Sequence, residues 1–260
     1  MGTSGDRNDQ GFRVIRQLAD PTATAELVDR AWEMVRRVDV ADAVGVVVRF
    51  ERDIPAGASP DQRISKLIRV HRQVRAFRLM FATPVLTSLL ADCIGPDVDL
   101  FLSQIVFKLP GALGQPWHQD TALFPFEPPG PIIAVWCALT APDAGTSRLR
   151  LQPGSHHGGL GPHGHDPALP TRGRYLALLD QTVQGKLLEL EAGDAVVFDA
   201  GVVHASSDNN SVRPRLAATA HFAAASTIDR TEEVFGATPF NDWMPWLRGR
   251  QLEAPTRRDG

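Results

Sequence analysis

Gly193-Asp-Ala-Val-Val-Phe-Asp-Ala-Gly-Val-Val-His204 opens on a turn, runs through the apolar segment Ala195 to Phe198 and ends on a histidine. A Gly-Asp pair followed by β-branched and aromatic residues reads as a turn feeding a buried strand. Ala205-Ser-Ser-Asp-Asn-Asn-Ser211 is then a polar turn. Arg213-Pro-Arg215 opens a second apolar strand, Leu216 to Phe222. A histidine therefore ends one strand and an arginine begins the next, facing it across a loop. The same texture of short apolar runs divided by Gly/Pro turns begins near Val98, and it predicts strands over 98–109, 132–139, 148–152, 186–190, 195–199 and 215–223.

Upstream the pattern is helical. Asp20-Pro21-Thr22 is a start signal for a helix over 22–37, with Leu27, Ala31, Met34, Val35 and Val38 as its apolar stripe. A second amphipathic helix is expected over 62–81, on Ile64, Leu67, Ile68, Phe77 and Met80, and a third from Pro84 to near Gly95. Val44 to Phe50 is a β-branched run, Met1 to Gln10 reads as a disordered start, and Trp243, Pro245 and Trp246 are expected to pack back on the strands. Helices followed by a block of strands give an α+β class. A jelly roll, which pairs two sheets around an interior, accommodates both the strands and a site. The length of 260 residues is compatible with one domain, 1–260.

The chemistry-bearing stretch is Gln115-Pro-Trp-His-Gln-Asp-Thr121. His118 and Asp120, one residue apart, point to the same face of an extended segment. Alone, His-x-Asp is a weak signal. With His204 as third ligand it becomes a set of two imidazoles and one carboxylate that leaves open positions on an octahedral ion, the geometry of a non-haem Fe(II) oxygenase. A guanidinium opposite His204 could pair two-pronged with a carboxylate. A ketoacid carrying a second carboxylate would then bridge metal and arginine.

Phe107-Lys-Leu-Pro110, Trp117-His-Gln-Asp120, Leu123-Phe-Pro-Phe126, Ala134-Val-Trp-Cys137, Pro153-Gly-Ser-His156, Gly193-Asp194 and His204-Ala-Ser206 stand in one order along the chain. In that order they resemble the phytanoyl-CoA dioxygenase (PhyH-like) branch of the Fe(II)/2-oxoglutarate oxygenases, from about Leu100 to Phe222, with a weaker echo at Gly11-Phe-Arg-Val-Ile15. The resemblance implies a double-stranded β-helix core over 98–223 with flanking N-terminal helices. It implies Fe(II), 2-oxoglutarate and O2, with His118, Asp120 and His204 as iron ligands. Arg215 becomes the anchor of the distal 2-oxoglutarate carboxylate, assisted by Ser206, and Arg213 is its rival two residues away. Gln104, Gln119 and Trp136 fall where the family lines the cosubstrate pocket; for Gln104 and Trp136, plain strand packing is the competing reading. The implied activity is hydroxylation of a small molecule in bacterial natural-product metabolism. Ring closure, epimerisation or desaturation with the same cofactors is the alternative, and a non-catalytic binder on the same barrel the second. The chain departs from the family at Thr146-Ser147-Arg148, where a small turn is usual. Arg148 and Arg150 alternate there with Leu149 and Leu151, which favours a solvated outer face over a substrate grip.

The other histidines carry less. His163 and His165 lie in a Gly-rich loop without fixed geometry, His156 reads as a turn residue, His221 as a satisfied core residue that could face substrate, and His71, among Arg69, Arg72 and Arg75, as helix surface. The loop from His156 to Arg174 exceeds ordinary connection lengths and is a candidate specificity element. A net charge of −3 and a pI near 6.2 give no footprint for nucleic acid or an anionic membrane. Cys93 and Cys137, isolated in apolar surroundings, are expected as free thiols. With no secretory h-region in the first residues, they point to a cytoplasmic protein.

Overall fold

The structure, a computed structural model, describes residues 9–51, 57–142, 145–165, 177–236 and 241–253. The expected disordered start lies outside them, except for Asp9 and Gln10, which are helical. Twelve strands carry the architecture: β1 (Phe12–Ile15), β2 (Val47–Phe50), β3 (Ile64–Ile68), β4 (Val98–Lys108), β5 (Ile133–Ala138), β6 (Leu149–Leu151), β7 (Lys186–Leu187), β8 (Ala195–Asp199), β9 (His204–Ser206), β10 (Arg215–Ala224), β11 (Met244–Arg248) and β12 (Gln251–Leu252). The large sheet runs β1-β8-β5-β10-β4-β11-β12, with β3 also on β4 and β2 on β3. The small sheet is β7-β6-β9. Every pairing is antiparallel. Two antiparallel sheets facing each other make the jelly roll.

Alternation along the strands assigns the faces. On β10, Leu216, Ala218, Ala220 and Phe222 join the main core, as do Ile105 and Phe107 of β4 and Ile133, Val135 and Cys137 of β5. The helices cover that side. The helix Pro21–Arg36 is capped by Asp20, whose side chain accepts from Ala23 N, and it buries Leu27, Ala31 and Val35 on one stripe. The helix Pro84–Cys93 buries Leu86, Leu89 and Leu90. The opposite face of the large sheet packs Ala134, Val196 and Phe198 against Leu149 and Leu151 of the small sheet. Between these faces lies the interior that holds the site. The C-terminal strand β11 pairs with β4, and Trp246 is buried with its ring 5.5 Å from that of Phe222.

Three expectations are corrected. The span 62–81 is not one helix: Pro60–Arg63 is a single turn, Ile64–Ile68 is strand β3, and two short helices, Val70–Gln73 and Arg75–Phe81, follow. Ile64-Ser-Lys-Leu-Ile68 alternates as well as it spirals, and an open edge of β4 was available to pair it. Arg69, at φ 66°, breaks the chain between strand and helix. His71 is consequently not on a helix surface but fully buried, with Nδ1 2.6 Å from Ser103 Oγ. The helix expected to reach Arg37 ends at Arg36, and Val38 belongs to a separate short helix, Val38–Ala43.

Candidate metal centre and cosubstrate pocket

Backbone pairing builds the centre. His118 and His204 form an antiparallel bridge: His118 N donates to His204 O at 3.0 Å and His204 N to His118 O at 2.9 Å. The segment before His118 is pinned to β9 by Ser206 N–Gln115 O (3.0 Å) and Gln115 N–Ser206 Oγ (2.9 Å). Gly114 permits this approach, because a Cβ there would sit 2.0 Å from Ser206 O. The bridge brings the two rings to 4.1 Å between centroids.

Each ring is oriented by its own strand. Nδ1–H of His118 donates to Pro116 O and Nδ1–H of His204 to Val202 O, both at 2.9 Å. These bonds fix the tautomer and leave each Nε2 an acceptor, that of His118 taking a hydrogen bond from Gln115 Nε2 at 2.8 Å and that of His204 lying near Asp120. Asp120 Oδ1 lies 3.3 Å from His118 Nε2 and 3.7 Å from His204 Nε2, and one ligand atom from each of the three residues falls within 4.8 Å of the others. Burial of Asp120 opposes its charge, but His204, His118 and His221 around it hold its carboxyl well below the usual range. Burial, reinforced by His118, pulls His204 down to about 4, so its ring is neutral at neutral pH. Two imidazoles and one carboxylate so placed fit a first-row metal ion in donor chemistry.

Arg215, the first residue of β10, points into the same cavity, which measures about 770 Å³ including its mouth. Its guanidinium is buried, 5.3 Å from the Trp136 ring, and donates from Nη2 to Ser147 Oγ at 3.1 Å. Nε and Nη1 are buried with no partner among the described residues. Desolvation pulls this arginine down to about 10, which still leaves it charged. A buried cation with two unused donors demands an anion, so the pocket fits a bound carboxylate. Gln104, Trp136 and Ser206 line the cavity with it. Arg213 is exposed.

Gln119 is corrected. It lies between two cavity residues on an extended segment and so faces the other way. Its Nε2 donates to Gly159 O and Gly201 O, and its Oε1 accepts from Gly161 N. It clamps a loop and does not line the pocket. The same loop gives His163 a fixed geometry, contrary to expectation: Nδ1–H donates to Gly161 O and Nε2 accepts from Gln119 N. Leu149 and Leu151 are buried and Arg150 exposed, as the alternation required, while Arg148 is half-buried. Residues 166–174 of the candidate specificity loop lie outside the described residues. Ser147, Gln115, Lys66 and Lys108 were missed. Ser147 and Gln115 contact Arg215 and His118, and the lysines line the cavity. The departure at 146–148 is the sequence signal that bears on Ser147. Cys93 and Cys137 are free thiols.

The phytanoyl-CoA dioxygenase family model matches residues 8–217. The chain belongs to the phytanoyl-CoA dioxygenase (PhyH) family. Among curated relatives, human peroxisomal phytanoyl-CoA dioxygenase is 26% identical over 227 residues, 84% of this chain. The chain spans 66% of that relative's length. A probable phytanoyl-CoA dioxygenase of Caenorhabditis elegans is 30% identical over 42% of this chain and 36% of its own. Among solved structures, the epimerase SnoN in complex with Fe3+, alpha ketoglutarate and nogalamycin RO superposes with a TM-score of 0.67 at 18% identity, over 90% of this chain and 87% of that one. EvdO2 from Micromonospora carbonacea var. aurantiaca, complexed with 2-oxoglutarate, gives 0.59 at 21% identity over 86% and 89%. At these identities the PhyH chain shares a fold with them.

Proposed function

We propose that this PhyH-family chain is an Fe(II)- and 2-oxoglutarate-dependent oxygenase of a small molecule, hydroxylating it with release of succinate and CO2. The observation that carries this reading is Arg215: a buried guanidinium with two nitrogens that have no partner among the described residues, in the cavity that also holds His118, Asp120 and His204. In this reading the two Nε2 atoms and the Asp120 carboxylate hold iron, and Arg215 holds the distal carboxylate of 2-oxoglutarate with Ser147 and Ser206 beside it. Iron, 2-oxoglutarate and dioxygen together supply an oxidant strong enough to take hydrogen from unactivated carbon. The protein orients the reactants and keeps bulk water out. Phe198, Phe124 and Leu102 give the cavity an apolar wall for the substrate skeleton.

A second reading, ring closure, epimerisation or desaturation, is favoured by the fold shared with the epimerase SnoN and the carbocyclase SnoK. Anaerobic titration of Fe(II) with 2-oxoglutarate tests the cofactor assignment. A weak visible charge-transfer band is expected, and its absence would favour a non-catalytic binder. Product mass then separates the outcomes: one oxygen gained for hydroxylation, two hydrogens lost for cyclisation or desaturation, no change for epimerisation.

A further inference from the structure

Asp120 has two carboxylate oxygens and only one faces the histidine pair. Oδ1 is the oxygen near His118 and His204. Oδ2 is 3.0 Å from Nε2 of His221, on β10. An ionised carboxylate only accepts, so Nε2–H of His221 donates to it. That bond is the one side-chain hydrogen bond of His221 among the described residues: its Nδ1 is buried without a partner among them. The ring is fixed by aromatic walls, with centroids 5.5 Å from Phe124 and 6.0 Å from Phe101. These rings come from β4 and from the segment after Asp120, while β10 supplies the histidine. The carboxylate rotor of Asp120 is thus held from strand β10, distant in sequence from the turn that carries it.

Resting on the iron-site reading above, we propose that His221 is a positioning residue for the metal centre: it locks the Asp120 carboxylate so that Oδ1 is presented with the two imidazoles. Asp120 stands at the start of a single 3₁₀ turn, Asp120–Leu123, where backbone pairing does not constrain its side chain. The histidine supplies that constraint. Outer hydrogen bonds of this kind are worth about 10–100-fold in metal affinity.

Co(II) is the probe. It is titrated anaerobically into the full chain and followed by its visible absorption and by calorimetry, in wild type, His221→Phe, His221→Asn and His221→Gln. Phe keeps a flat ring without the donor, Asn has the donor but falls short, and Gln can reach. Binding is expected to weaken about 10–100-fold in the Phe and Asn variants and to stay near wild type in His221→Gln, with circular dichroism and thermal midpoint unchanged in all that bind. Wild-type affinity in the Phe and Asn variants overturns the proposal, and so does equal weakening in His221→Gln, which would mean packing and not the hydrogen bond. If His221→Phe does not fold, the Asn and Gln pair decides. Failure of the wild type itself to bind Co(II) strikes the iron-site reading instead and is seen before any variant is compared.

Discussion

Arg215 and Arg213 are separated by one proline, and their surroundings divide them. Arg215 is 4% exposed, with two nitrogens that have no partner among the described residues; Arg213 lies on the surface. Removing one partner from a buried charge pair costs roughly 2–5 kcal/mol. Arg215→Ala should therefore raise the 2-oxoglutarate concentration needed for half-maximal turnover about 30-fold or more, since 1.4 kcal/mol is tenfold. Arg213→Ala should leave it nearly unchanged, and the reverse pattern would exchange the two. His118→Ala, Asp120→Ala and His204→Ala should each abolish succinate formation while the thermal midpoint stays within a few degrees, because the three side chains border a cavity and not the packed core. Near wild-type turnover in any one at saturating iron would remove that residue from the ligand set. His118 and Asp120 were legible as a pair from their alternation, while His204 and the choice of Arg215 over Arg213 came from the order of motifs shared with the family, since alternation aims both arginines the same way. Ser147 and Gln115 were not: each touches its partner through a loop whose course depends on tertiary pairing. Gln119 is instructive in the other direction, since the alternation that aims His118 and Asp120 inward excludes it.

Strand β10 joins the site together. Arg215, Thr219 and His221 lie on its cavity face, and each has a buried polar atom without a partner among the described residues, while its other face is core. The sequence pattern disclosed this strand by its short apolar run after a polar turn, in series with the strands before it, although its alanines favour helix. For Ile64 to Ile68 the competing signals were nearly equal, and only the edge of β4 decided. The turn before β8 shows how such edges are held. Buried Asp194 accepts from Gln17 N at 2.9 Å, Arg16 Nη1 at 2.6 Å and Glu191 N at 3.0 Å, tying the end of β1 to the sheet where Gln17 takes φ 50°. Asp194→Ala would strand two backbone donors at roughly 1–3 kcal/mol each before relaxation. The expected result is a thermal midpoint lower by several degrees with Co(II) affinity intact. An unchanged midpoint would mean that water replaces the carboxylate without cost.

His71 ties three parts of the chain to one another. It sits in the short helix Val70–Gln73, bonds Ser103 of β4 through its backbone N and Nδ1, and has Nε2 3.5 Å from Asp242 of the C-terminal segment. Arg72 grips the same Asp242 with Nε at 2.8 Å and Nη2 at 2.9 Å. Burial lowers His71 to about 4, against the opposing pull of Asp242. The folded ring is then neutral where the unfolded ring, with its ordinary value near 6.5, takes up a proton. Stability contributed by the neutral ring is complete above about pH 6.5 and is lost as pH falls toward 4, below which the curve levels. The full loss is about 3 kcal/mol at 1.36 kcal/mol per unit. His204, also lowered to about 4, moves the metal-free protein in the same direction, so His71 must be isolated by difference. Urea midpoints of metal-free wild type and His71→Gln between pH 7.5 and 4 do this. At pH 7.5 the variant is expected to be less stable, because Gln replaces a ring packed at zero exposure. The gap should close by about 3 kcal/mol on acidification, since only the wild type carries the proton-linked loss. Parallel curves across that range would show that His71 takes up its proton equally in the folded and unfolded protein, with Asp242 cancelling the effect of burial, and a gap that widens as pH falls from 7.5 would show a buried ion pair and not a neutral hinge between the helices, the sheet and the C-terminal strand.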